Sequence, residues 1–128
     1  MNVRMAGKTI DVRERRRGGR AKLFHDVVVT DVQSRAPLRL RDVGVESFSV
    51  MSPLTFPLGA SRQIQFNNGS GPEVTTMAIV KRCERWPTEG PPRYVIGFEF
   101  VPSTSSDWVT ISAFVQPLMR RVAVRSQY

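Results

Sequence analysis

Between residues 23 and 101 the chain breaks into six short runs rich in β-branched and aromatic residues, each closed by a turn signal. The runs are Leu23–Val32, Pro37–Val43, Ser47–Met51, Arg62–Phe66, Val74–Glu84 and Arg93–Val101. Ser34-Arg35-Ala36-Pro37, Ser52-Pro53, the Asn67–Pro72 stretch and the segment from Pro87 to Pro92 separate them, with the residue types that turns favour. Leu38-Arg39-Leu40-Arg41 and Arg62-Gln63-Ile64-Gln65-Phe66 alternate apolar and polar side chains, so each predicts a strand with one wet and one dry face. Short strands at this spacing predict a mainly β chain: a six-stranded antiparallel barrel, a form that leaves no open edge.

After Phe100 the period changes to that of a helix. Trp108, Ile111, Val115, Leu118, Met119 and Val122 fall on one stripe, predicting a C-terminal α-helix laid on the barrel. Ser105 or Ser106 is placed to cap it, with Asp107 at its positive end. Pro117 lies inside the stripe and is expected to kink or end the first segment near Gln116.

The 128 residues carry 19 Lys and Arg against 11 Asp and Glu, a net +8, and the excess sits at the ends. Residues 1–25 hold eight basic and two acidic groups, residues 26–105 eight of each, and residues 106–128 three Arg against Asp107. Sixteen of the nineteen cations are Arg, which favours bidentate contact with phosphates or base edges. The run Arg13 to Arg20, RERRRGGR, packs five arginines around Gly18-Gly19. Repulsion and two glycines disfavour a helix there, so residues 1–20 are expected to form a flexible arm and 21–128 the barrel domain with its helix.

One Cys and one His exclude an internal disulfide and a structural zinc site. No apolar run approaches the ~20 residues that span a bilayer, and no signal-peptide core is present, which points to a soluble protein of a reducing cytoplasm. His25 has no nucleophile pattern beside it, and Cys83 reads as a small strand residue. Asn67–Gly71 lacks the GK[ST] of a phosphate loop and reads as a hairpin loop. Phe48 and Phe56 read as core, Trp108 as the helix anchor, and Trp86 as packing a turn. Arg120, Arg121 and Arg125 suit the negative end of the helix. No acid, base and nucleophile come together, so the chain reads as a non-enzyme.

Three segments, in order, carry a family resemblance: Arg16-Arg17-Gly18-Gly19-Arg20 before the first strand, Asp42-Val43-Gly44-Val45-Glu46-Ser47 between two strands, and Tyr94-Val95-Ile96-Gly97-Phe98-Glu99-Phe100 late in the chain. They resemble the RxxxR, (D/N)xSxxG and hydrophobic-Gly-x-x-Phe elements of the PilZ domain of bacterial cyclic di-GMP receptors. The resemblance runs from about Arg13 to Arg121. It implies a PilZ-type six-stranded antiparallel barrel with a C-terminal helix, cyclic di-GMP as ligand with no other cofactor, and an unidentified effector protein as partner. The implied site residues are Arg16, Arg17, Arg20, Asp42, Gly44 and Ser47.

Guanidinium groups pair with phosphodiesters, contact guanine N7 and O6 and stack on bases, while a carboxylate such as Asp42 accepts from the guanine N1–H and N2–H₂ edge. Two positions depart from the pattern. Gly44 stands where the family has Ser, a loss of one hydrogen bond worth roughly 0.5–1.5 kcal/mol. Ser47 stands where the family has Gly, and is strained by ~1–2 kcal/mol if that position needs positive φ. Two function classes therefore stand side by side: a cyclic di-GMP receptor that signals to a partner, and a degenerate domain that acts through protein contacts without the nucleotide. Non-specific nucleic-acid binding through the arm ranks last, because the neutral body offers no basic groove.

Overall fold

Alternation along residues 37–40 puts Leu38 and Leu40 on one face and Arg39 on the other, and burial follows that split. The computed structural model describes residues 23–68 and 73–126. Its elements are β1 (Val28–Asp31), β2 (Pro37–Val43), β3 (Ser47–Ser52), β4 (Ser61–Asn67), β5 (Val74–Trp86), β6 (Arg93–Phe100) and α1 (Ser105–Ser126). The strands close in the order β1-β2-β3-β6-β5-β4, every pair antiparallel, so the six-stranded barrel with a C-terminal helix stands as expected.

The inward faces meet as aromatic packing. Phe48 stacks on Phe98 at 4.9 Å and meets Phe66 edge-on at 5.0 Å, with Phe100 at 4.9 Å. Phe56, in the connection from β3 to β4, plugs the barrel against Phe98, as its reading as core requires. Each such side chain withdrawn from water adds about 1.5–3 kcal/mol, which makes this cluster the main driving force for closure.

The first strand is shorter than the residue types predict. Leu23–Asp26 make a turn in place of a strand, with the Val27 amide donating to the Phe24 carbonyl at 2.9 Å. The turn carries Phe24 and Val27 into the core. Burial of those two side chains overrides local β propensity.

The helix also departs from its expected form. It begins after Thr104, whose hydroxyl accepts from the Asp107 amide at 3.1 Å, while Asp107 Oδ2 accepts from the Ser103 and Thr104 amides. Thr104 is therefore the cap, in place of Ser105 or Ser106, in a reciprocal Thr-x-x-Asp arrangement. Nor does Pro117 end the helix, which continues to Ser126. Ile111 and Val115 before it and Leu118 after it are all buried against the barrel, so one docked face holds both halves. Phe114 joins that face at 5.3 Å from Phe66. Trp108 is 40% exposed and Met119 is exposed too, so Ile111, Val115 and Leu118 anchor the helix and Trp108 does not.

Candidate functional site

Two bulges build the site. In β2, Leu40 pairs with Val50 and Asp42 with Ser49, so Arg41 is an extra residue. In β5, Val80 pairs with Phe98 and Arg82 with Gly97, so Lys81 is an extra residue. Strict alternation would put Asp42 on the inward face of Leu40, and Arg82 on that of Val80. Each bulge shifts the register by one, and each charged residue turns to the outer face. Ser49 pairs in turn with Gly97. Asp42, Ser49, Gly97 and Arg82 thus form one row across four strands.

The row is the floor of an outer cleft of about 540 Å³, whose lining includes Asp42, Gly44, Ser47, Ser49, Lys81, Arg82, Gly97 and Glu99. That volume lies within the roughly 300–1,000 Å³ usual for small-ligand clefts. Gly97 keeps it open. A Cβ there would come within 3.2 Å of Arg82 Cβ, tighter than ordinary packing.

Three of the expected site residues, Asp42, Gly44 and Ser47, come together in this cleft. Arg16, Arg17 and Arg20 lie outside the described residues. The Ser49 hydroxyl donates to Asp42 Oδ2 at 3.3 Å. A hydroxyl therefore stands beside the carboxylate although Gly44 carries none. Gly44 sits at a tight hairpin, its amide donating to the Ser47 carbonyl at 2.8 Å. A side chain at 44 would meet that carbonyl oxygen at an ordinary 3.8 Å.

Ser47 corrects the strain argument. Among the described residues Arg35, at φ 60°, is the non-glycine with positive φ, and Ser47 is the exposed first residue of β3. The 1–2 kcal/mol cost attached to this departure does not arise. What remains of the departures is one hydroxyl.

Ser49, Lys81, Arg82, Gly97 and Glu99 are cleft residues that reading the motifs alone leaves out. Two signals for them exist in the chain: a glycine inside a strand marks close approach, and consecutive charges in Val80-Lys81-Arg82-Cys83 break alternation. Lys81 faces Glu99 at 3.5 Å and Arg82 Nε faces Glu84 at 3.9 Å, both pairs well exposed. Such pairs are worth little in water and yield readily to a stronger anion.

Trp86 closes β5 just before the 87–92 connection, and the buried Arg41 guanidinium lies 5.1 Å above its ring. Arg121 does more than complement the helix end. It donates to both Asp26 carboxylate oxygens, at 2.8 and 3.1 Å, and to the Leu23 carbonyl at 3.1 Å. The Arg121 hydrogen bonds, with burial opposing them, hold the Asp26 carboxyl below its ordinary value. The residues that follow the arginine-rich segment are therefore bolted to the helix.

Among the described residues no helix is long and apolar enough to cross a membrane, and no three His, Cys, Asp or Glu side chains gather as a metal ion would require. No protein-family model and no curated protein matches the chain. Solved structures do. The PilZ domain with c-di-GMP of YcgR from Escherichia coli superposes with a TM-score of 0.60 at 13% identity, over 79% of this chain and 86% of that one. The Bacillus subtilis inhibitor of motility, MotI/DgrA, gives 0.55 at 17% identity, over 76% of this chain and 46% of that one. At such identities the likeness is one of fold. Strand order, closure and the terminal helix, shared with both neighbours, give this chain a PilZ-type fold.

Proposed function

We propose that this domain is a cyclic di-GMP receptor and not an enzyme, holding the dinucleotide in the outer cleft and passing its presence to an effector protein in the cytoplasm. One observation carries the reading: Asp42, Gly44 and Ser47 line an open cleft whose floor a glycine keeps clear. Asp42 accepts from the guanine N1–H and N2–H₂ edge, and Ser49 holds its carboxylate in place. Arg16, Arg17 and Arg20 supply the phosphate contacts, ordering over the ligand as they bind it. The fold neighbour from YcgR was solved with c-di-GMP, which supports this choice of ligand.

The missing hydroxyl at Gly44 favours a second reading, in which the same barrel contacts an effector without the nucleotide. Calorimetric titration with cyclic di-GMP, with GTP and a short DNA duplex as controls, separates the two. Saturable heat with cyclic di-GMP alone is expected. Arg16→Ala and Arg20→Ala should each weaken it by ~1.5–3 kcal/mol, the worth of a charged hydrogen bond. Arg120→Ala should change little. Silence with all three ligands would transfer the assignment to the interaction module.

A further inference from the structure

The β5 bulge brings to the cleft a cation that belongs to none of the three motif segments. Arg82 is the end of the row Asp42, Ser49, Gly97, Arg82, and its stem lies along the bare backbone of Gly97. A Cβ on residue 97 would stand 3.2 Å from Arg82 Cβ and 3.6 Å from Nε, so only glycine lets the guanidinium run along the cleft floor. Three strand spacings of ~4.8 Å separate Asp42 from Arg82, a path of about 14 Å along the curved sheet. A carboxylate thus stands at one end of the cleft and a guanidinium at the other. That is the polarity of a guanine nucleotide, with hydrogen-bond donors on its base and anionic oxygens on its phosphate.

We propose that Arg82 is a ligand-contacting residue of this cleft, pairing with a phosphate of the guanine nucleotide whose base edge Asp42 holds. The inference deepens the cyclic di-GMP reading and rests on it for the choice of ligand. Arg82 now faces Glu84 at 3.9 Å, with both side chains at least half exposed. Water screens that pair, so the guanidinium exchanges it for a doubly hydrogen-bonded phosphate with net gain. Lys81 stays with Glu99 at 3.5 Å, which leaves Arg82 as the cation that exchanges partners. Arg82 is held by a strand before ligand arrives, so its contact costs little backbone ordering.

The test compares wild type with Arg82→Ala, Arg82→Lys and Arg85→Ala, titrating each with cyclic di-GMP and with GMP while following the amide resonances of Ser49, Arg82 and Gly97. Arg85 is an exposed cation on the same strand outside the cleft, and serves as the charge control. With cyclic di-GMP, Arg82→Ala should weaken binding at least about tenfold, Arg82→Lys by less, and Arg85→Ala by under about twofold. If cyclic di-GMP binds and Arg82→Ala matches wild type, the inference falls and the receptor reading stands. Equal losses at Arg82 and Arg85 also overturn it, since they report diffuse attraction. If cyclic di-GMP fails to bind but GMP moves Ser49 and Gly97 in wild type and not in Arg82→Ala, the inference stands and the receptor reading falls. No shift with either probe overturns both.

Discussion

Asp31 has no exposed surface, yet it keeps its charge because four donors converge on it: the amide and hydroxyl of Ser34 and two guanidinium nitrogens of Arg62. Burial works to raise its carboxyl, but the hydrogen bonds from Arg62 and Ser34 outweigh it and hold the group below the ordinary 3.8. The stability it adds is therefore complete above about pH 4 and is lost as pH falls through the lowered native value. Asp31→Asn should cost roughly 2–4 kcal/mol at neutral pH and flatten the profile of urea midpoint against pH below pH 4. Ser47 and Gly44 invite opposite expectations. Restoring the family glycine with Ser47→Gly relieves no strain, because Ser47 has ordinary strand geometry. It should lower stability by ~0.5–1 kcal/mol in urea unfolding and leave cyclic di-GMP affinity unimproved. Gly44→Ser meets no clash and should leave the fold intact while adding a hydroxyl near Asp42, read as equal or tighter binding in calorimetry.

At the scale of elements, α1 shows how docking overrides local grammar. Pro117 removes the amide that would donate to the Ala113 carbonyl, and the helix runs on because Ile111, Val115 and Leu118 share one buried face. Pro117→Ala should raise stability by at least ~1 kcal/mol, and Thr104→Ala should lower it by about as much, both measured by denaturant midpoint. The strands were legible from their alternation, and five of six fall within a few residues of the predicted runs. The first was not, since Leu23–Val27 look like strand and are pulled into a turn by the burial of Phe24 and Val27. The helix stripe was legible at Ile111, Val115 and Leu118. Trp108 was not, because a periodic stripe wider than the contact leaves its edge in water. Asp42, Gly44 and Ser47 were legible as motif positions. Arg82 was hidden because its facing depends on a bulge, which is set by pairing with another strand, whereas Ser49 faces outward by alternation with Phe48 and Val50 and was missed because it sits outside the motif positions.

For the molecule as a whole, the Arg121 clamp joins the C-terminal half of the helix to residues 23–26, just after the arginine-rich segment. Arg121→Ala should raise amide hydrogen exchange at Phe24–Val27 while leaving the Asp42–Gly97 cleft amides protected as in wild type. Protection unchanged at Phe24–Val27 would mean that Phe24 burial alone fixes the turn. Closure of the sheet gives every strand two partners, so a shift in one strand propagates around the ring. That has a consequence for how such a chain can change over generations. Deleting Arg41 or Lys81 would keep the facing of what lies beyond, because Asp42 would follow Leu40 directly and Arg82 would follow Val80, but ironing out either bulge with its residue kept would reverse it. Asp42 would then point inward beside Leu40 and Val50, or Arg82 beside Val80 and Phe98, and an uncompensated charge would enter the aromatic interior at a cost of several kcal/mol. Pairing at these two positions tolerates loss of the extra residue, but not its retention in a flat strand.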